Sequence, residues 1–308
     1  MPEPFDISIC ICTFRRPEGL LHLLQSLAQL RQPSACRVEV VVVDNDAKQS
    51  ARQIVEGLSP SYPLALRYFC EERSGVSYAR NRCVEESRGE WIAFVDDDEY
   101  ADPEWLAEYW ALSHSQAVDG MFGPVLAEFA EPPKPWLMAT GAHMKARHAT
   151  GRVLDWGGAC ATCNVMFRRK LHEEVGKFDI RLAASGGEDN DFFWRCIRHG
   201  AKLIWCDTAV VHETVPTARM TREWMLTRAY RGGRTHTYLR KRYFGPGAYI
   251  VDATRGALSM LAYMPLALGA KLLQHPTSVR YECKVMGGFG KLLGWRPPPG
   301  ADYARGNT

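Results

Sequence analysis

The chain has 308 residues, 46% of them hydrophobic and 24% charged, with a formal net charge of +3. That length holds one large α/β domain, or a domain with a smaller appendage, and the composition excludes wholesale disorder. A net charge this small gives no argument for nucleic acid, although basic residues crowd into the second half. Ten cysteines follow an acidic, Pro-rich start, Met1-Pro2-Glu3-Pro4-Phe5-Asp6, that lacks the basic region of a secretory signal. They read as reduced thiols in a cytosolic protein. Cys160-Ala-Thr-Cys163 is a single CxxC without a second pair at zinc spacing, so no metal or redox role is assigned to it.

Ile7 to Cys12 is a strand by its β-branched content and runs into Thr13-Phe14-Arg15-Arg16-Pro17. Pro17 suits the first turn of a helix, whose apolar face is Leu20, Leu21, Leu23, Leu24, Leu27 and Leu30. Val38 to Val43 is a second strand, apolar throughout as parallel strands buried on both faces are, and it ends in Asp44-Asn45-Asp46. A short helix over 50–58 and a third strand over 64–70 follow. Gly75 then makes a turn into a helix carrying Arg80 and Asn81. Trp91 to Val95 is a fourth buried strand that stops at Asp96-Asp97-Asp98.

The first hundred residues therefore alternate β-α-β-α-β-α-β, which implies a parallel sheet with right-handed crossovers. Ligands of such sheets bind beyond the carboxyl ends of the strands. Neither a Walker lysine loop nor a GxGxxG fingerprint is present, which argues against P-loop NTPases and dinucleotide oxidoreductases.

Further along, 105–114 reads as a helix, 120–126 as a strand, and the Pro- and Gly-rich stretch 130–150 as a long irregular loop. Trp156-Gly157-Gly158 precedes a strand over 160–167, and 168–175 is a short helix. Ser185-Gly186-Gly187-Glu188-Asp189-Asn190-Asp191 leads into an amphipathic helix stopped by Gly200. A strand over 202–206 and the segment 209–213, with His212, complete the first part.

Three acidic sites stand at strand or helix ends. Asp44 can accept hydrogen bonds from a nucleobase imide or a ribose. Asp96 and Asp98, two residues apart, can share a side and hold Mg²⁺ or Mn²⁺ on a diphosphate. Glu188 and Asp189 offer a carboxylate away from the metal for deprotonating a hydroxyl. Arg80 can pair with phosphate, and His212 can complete the metal shell or touch the diphosphate.

Cys12-Thr13-Phe14-Arg15-Arg16, Val42-Val43-Asp44-Asn45, Gly75 with Ala79-Arg80-Asn81, Phe94-Val95-Asp96-Asp97-Asp98, Gly187-Glu188-Asp189 and Val211-His212 resemble, in this order, family 2 glycosyltransferases of the GT-A fold. The resemblance covers about residues 5 to 215. Ser185 to Asp189 with His212-Glu213 is most similar to bacterial exopolysaccharide enzymes of the succinoglycan glucosyltransferase type. The resemblance implies a Rossmann-like, mostly parallel sheet flanked by helices and an inverting transfer of a hexose, with glucose favoured. The donor it implies is a UDP-sugar, and the acceptor a hydroxyl of a polyprenyl-diphosphate-linked glycan. Asp189 matches the base, with Glu188 beside it as the alternative. Thr13, Phe14, Arg15, Asp44, Arg80, Asp96 and Asp97 match the nucleotide contacts. Asp96, Asp98 and His212 match the ligands of Mn²⁺ or Mg²⁺. The alternatives are a sugar-nucleotide nucleotidyltransferase, which wants a Gly-rich loop with a lysine that Thr13 to Arg16 does not supply, and a non-catalytic glycan-binding scaffold.

Residues 216–296 change character. Basic residues interleave with Trp224, Tyr230, Tyr238 and Tyr243, and an apolar stretch of about 14 residues, Gly256 to Gly269, is interrupted by Pro265. No nucleic-acid recognition motif accompanies them. The expected organisation is a catalytic domain over 1–215, a helical basic appendage over 216–296 resting on an anionic membrane surface at the cytoplasmic inner face, and a disordered tail over 297–308.

Overall fold

The computed structural model describes residues 5–155 and 160–297. The expected alternation is present as β1 (Ile7–Thr13), α1 (Pro17–Leu27), β2 (Val38–Asp44), α2 (Arg52–Leu58), β3 (Ala65–Cys70), α3 (Val76–Glu86) and β4 (Trp91–Val95). The chain continues through β5 (Glu99–Ala101), α4 (Trp105–Ser115), β6 (Gly120–Phe122), β7 (Val125–Phe129), α5 (Pro135–Thr140), β8 (Asn164–Arg168), α6 (Lys170–Glu174), α7 (Glu188–Arg198), β9 (Leu203–Trp205) and β10 (Val211–Val215). Three long helices close it: α8 (Arg222–Phe244), α9 (Pro246–Leu272) and α10 (Ser278–Leu292).

Seven strands form one mostly parallel sheet in the order β3-β2-β1-β4-β8-β6-β9, in which β8 runs antiparallel to β4 and β6. The apolar runs are continuous because both faces are covered. Ile7, Ile9, Val40, Val42, Ala93 and Val95 enter one core, and Cys10, Val41, Val43, Ile92 and Phe94 the other. From β1 the chain steps outward to β2 and β3, then returns to place β4 on the other side of β1. That reversal opens the crevice at the carboxyl ends of β1, β2 and β4. Thr13 and Asp44 are register partners there, and the three aspartates follow directly on β4. A second sheet, in the order β5-β10-β7, pairs His212 with Tyr100.

Several expectations need correction. The strand expected over 160–167 begins only at Asn164, because its partner β4 ends at Val95, opposite Asn164. The strand expected over 120–126 is two strands, since Gly123-Pro124 interrupts the ladder and Pro124 has no N–H to donate. The loop expected over 130–150 contains α5, started by Pro135 and closed by Gly141 in the left-handed region (φ 66°), with Leu137 and His143 buried. Pro265 does not interrupt the apolar stretch: it sits inside the 27-residue α9. The helix packs on α10 in the turns before that position, through Ser259 to Lys284 and Tyr263 stacked on Tyr281, and buries Ala267 and Ala270 in the turns after it. The Trp156-Gly157-Gly158 turn and, Pro297 apart, the expected tail lie outside the described residues.

The chain divides into two compact units. One comprises Met1–Leu126, Ala146–Ala183 and Glu188–Glu213; the other comprises Ala127–Lys145, Ala184–Gly187 and Thr214–Thr308. In the second, α9 and α10 cross at Gly256 and Gly288, where a Cβ on either glycine would lie 2.6 Å from the other's carbonyl oxygen. Only glycine allows backbones to approach this closely.

Candidate active site

Every residue singled out as a candidate lies in the first unit: Thr13, Asp44 and Asp96 to Asp98 at the carboxyl ends of β1, β2 and β4, Arg80 on α3, Glu188 and Asp189 on α7, and His212 on β10. The middle aspartate is the innermost. Asp97 is buried and accepts hydrogen bonds from Thr13 Oγ1 at 2.8 Å and from Arg16 Nη1 at 3.0 Å. The same Arg16 nitrogen reaches Asp98 at 3.0 Å. Burial raises the Asp97 carboxyl above the usual range, and the Arg16 guanidinium opposes that rise. For Arg16, burial acts to lower the pKa but is outweighed by Asp97 and Asp98, and the net direction is up. Arg16 is a site residue that the sequence reading missed. Its signals were its place at the end of the Cys12 to Arg16 motif and directly before the helix-starting Pro17.

Asp44 is fully buried, and its oxygens accept from Asp46 N–H (2.9 Å), Ala51 N–H (2.8 Å) and Tyr68 OH (3.1 Å). It orders the loop between β2 and α2 in the manner of an Asx turn. Arg15 Nε donates to Asp46, two residues on, at 3.3 Å. Arg15 has a φ of 54° and carries its guanidinium 4.7 Å from the centroid of the Phe14 ring. Phe14 is 38% exposed. Asn45, also missed, donates to the carbonyls of Glu71 and Arg73 and accepts from Gly75 N–H, fixing the start of α3.

Gly75 has a φ of 132°, and a Cβ there would meet Ala183 Cβ at 2.7 Å. One face of α3 is stitched to the segment approaching α7. Ser77 Oγ donates to Asp179 O (3.0 Å), Asn81 Nδ2 donates to Phe178 O (3.0 Å), and Asn81 Oδ1 accepts from Phe178 N–H (2.8 Å). Between them, the Arg80 guanidinium bonds Glu188 through Nη1, while its Nη2 lies 3.9 Å from Asp96.

Glu188 and Asp189 occupy the first turn of α7, inside the helix rather than ahead of it. The helix dipole favours acids there. Glu188 is buried, and its Oε2 finds no hydrogen-bond partner among the described residues. Burial lifts its carboxyl to about 7, against the opposing pull of Arg80. Asp189 is half-buried, with Oδ1 accepting from the backbone N–H (2.7 Å) and Nδ2 (3.0 Å) of Asn190. The two adjacent acids thus differ in environment, one enclosed with a cation and one partly exposed.

His212 stacks on Tyr100 at 4.7 Å, and its Nε2 lies 3.0 Å from Asp102. Among the described residues no three His, Cys, Asp or Glu side chains converge as a metal cage. The donor set instead suits a hard divalent ion held by one or two carboxylates and completed by substrate oxygens. Asp98 and Asp96, the latter 43% exposed at its side chain, flank one turn. Asn164, missed as well, is the register partner of Val95, the residue directly before that turn. It accepts from Trp105 Nε1 and Tyr109 OH and donates to the carbonyls of Pro124 and Ala209.

Comparison with known proteins agrees with this architecture. The family model described as glycosyl transferase family 2 matches residues 8–176. The succinoglycan biosynthesis protein ExoM of Rhizobium meliloti (strain 1021) is 36% identical over 241 residues, covering 76% of this chain and 75% of that one. The mannosyltransferase PcManGT from Pyrobaculum calidifontis, solved in complex with GDP-Man and Mn²⁺, superposes with a TM-score of 0.62 at 18% identity, over 94% of this chain and 89% of that one. TarS 1-349 of S. aureus in complex with UDP-GlcNAc superposes with a TM-score of 0.52 at 16% identity, over 92% and 91%. At these identities the two structures establish a shared fold.

Proposed function

The chain belongs to glycosyl transferase family 2, and on that premise we propose that it transfers a hexose, with glucose favoured, from a UDP-sugar to a hydroxyl of a lipid-linked glycan in bacterial exopolysaccharide synthesis. Inversion at the anomeric carbon and dependence on Mn²⁺ or Mg²⁺ are part of the proposal. The relative named for succinoglycan biosynthesis supports the pathway class. The observation that carries the chemistry is that Arg80 contacts Glu188, the neighbour of Asp189, and lies 3.9 Å from Asp96.

In this reading Asp189 is the base. It is the half-exposed acid of the pair and can meet an incoming hydroxyl, whereas Glu188 is enclosed. A single displacement needs one such base and no carboxylate nucleophile. Asp96 and Asp98, with His212, would hold the ion, which when bound stabilises the charge that develops on the leaving diphosphate. Thr13, Phe14, Arg15, Asp44 and Asp97 form the nucleotide end. Asp44 acts there by shaping the 44–51 loop, and Phe14 by exposing an apolar ring at the end of β1.

Residues 216–296 would seat the enzyme on the cytoplasmic face of the membrane, next to a lipid-linked acceptor. They hold fourteen Lys and Arg against three Asp and Glu. No helix among the described residues is long and apolar enough to cross a membrane. Yet α9 exposes Leu258, Leu261, Met264, Leu266 and Leu268 between Arg255 and Lys271 without an intervening charge. An apolar face bordered by cations suits an anionic interface.

Calorimetric titration of UDP and GDP, with Mn²⁺ present or chelated, tests the donor class. UDP binding that requires the ion and that GDP does not reproduce is the expected result. Equal binding of both nucleotides, or of neither, would overturn the reading.

A further inference from the structure

Arg80 is buried and has carboxylates on two sides, Glu188 in direct contact and Asp96 at 3.9 Å. A guanidinium whose charge is already compensated by two acids makes a poor receptor for a diphosphate. Glu188, for its part, has one oxygen on Arg80 and the other enclosed without a hydrogen-bond partner among the described residues. A buried carboxylate keeps its place only while its counter-cation does. Glu188 and Asp189 are consecutive in the first turn of α7, so a shift of the backbone at Glu188 carries Asp189 with it. The α3 face that carries Arg80 is also anchored to 178–179 through Ser77 and Asn81, which makes it a rigid mount for that turn.

We propose that Arg80 is a positioning residue: acting through Glu188, it fixes the first turn of α7 and thereby the direction of Asp189, and through Asp96 it ties that turn to the donor side. The proposal rests on Asp189 being the base. It predicts that Arg80 affects turnover and not nucleotide affinity, and that Arg80 and Glu188 behave as one unit.

The test uses the full chain with the substitutions Arg80→Gln, Arg80→Lys, Glu188→Gln and the double Arg80→Gln/Glu188→Gln. UDP affinity with Mn²⁺ is read by calorimetry, and turnover as UDP released from UDP-glucose, with water in the acceptor's place. Arg80→Gln should lower kcat about a hundredfold, the scale of a 1 Å misplacement, with the Kd for UDP and the KM for UDP-glucose changed less than about twofold. The double variant should lose no more than the worse single variant. Arg80→Lys keeps the charge without the fork, so it should fold, bind UDP normally and still lose kcat. That variant keeps the test available should Arg80→Gln not fold. A tenfold weaker UDP affinity in Arg80→Lys or Arg80→Gln with kcat retained would make Arg80 a phosphate ligand and overturn the proposal, as would losses that multiply in the double variant. Full turnover in Asp189→Asn would instead remove the base assignment, an outcome distinct from either of these.

Discussion

Thr13 donates its hydroxyl to Asp97 at 2.8 Å, joining the end of β1 to the turn that follows β4. These strands are neighbours in the sheet, so the bond closes the crevice floor at the point where the strand order reverses. Both partners are buried, and the other carboxylate oxygen accepts from Arg16 Nη1 at 3.0 Å. Thr13→Val preserves shape and β propensity but leaves a buried acid short of a donor. The expected cost is about 2 kcal/mol, measured as a shift of the urea unfolding midpoint with an unchanged slope. Stability equal to the parent would mean that the hydroxyl contributes nothing net.

Asp189→Asn keeps the size and the capping oxygen of the side chain but cannot take up a proton. Turnover of UDP-glucose should fall by about a thousandfold, within the range of a lost general base. Calorimetric affinity for UDP should stay within twofold, because Asp189 stands with Glu188 and not in the turn after β4. Weakened UDP binding would place the base elsewhere.

Asp98→Ala removes a carboxylate that accepts from Arg16 and flanks the exposed Asp96. The gain in UDP affinity that Mn²⁺ provides to the parent should vanish, so that titrations with the ion and with chelator coincide. A variant that still responds to Mn²⁺ as the parent does would take Asp98 out of the ion's shell.

The strands were legible because parallel strands buried on both faces leave continuous apolar runs, and the end of one such run at Asp96 marked the crevice. The family was legible from short motifs in order. Two of them, Gly187 to Asp189 and Val211-His212, lie beyond the residues that the family model matches. What could not be read was pairing across distance. Arg80 and Glu188 are 108 positions apart, and His212 and Asp102 are 110 apart, so no local pattern joins them. The sequence pointed to Asp44, but it did not show that the oxygens of Asp44 are filled by Ala51 N–H and Tyr68 OH, groups brought to it by the fold. Pro265 misled for a related reason, because packing on α10 overrides the local preference of one residue.

His172 gives a pH prediction. Its ring is buried, with Nε2 3.2 Å from Asn81 Oδ1, and burial is the main cause that lowers its pKa from 6.5 to about 4. The native state thus resists a proton that the unfolded chain accepts. This contribution is fully present above pH 6.5 and is lost as the pH falls toward 4, at most about 3 kcal/mol. His172→Gln, which cannot titrate, should flatten the stability profile between pH 6.5 and 4. Urea midpoints at pH 7 and pH 5 decide it: a parent and a variant with the same slope would show that His172 is not the group responsible.

The membrane reading of α9 can be tested without removing any element. Leu261 and Leu268 are 73% and 61% exposed, so they hold little of the fold together. Substitutions at such positions change stability by about 0.5 kcal/mol or less. Leu261→Glu/Leu268→Glu should therefore unfold with the parent's midpoint. Each leucine nevertheless contributes apolar area to an interface, and each glutamate is repelled by anionic lipid. In a flotation assay with phosphatidylglycerol vesicles the parent should rise with the lipid and the variant should stay at the bottom. Raising the salt from 0.1 to 0.5 M should weaken the parent's binding, since the fourteen cations act within a Debye length of about 10 Å at the lower concentration. Equal flotation of parent and variant would show that the exposed face of α9 does not meet lipid, and the proposed seat on the membrane would then have to lie elsewhere or be abandoned.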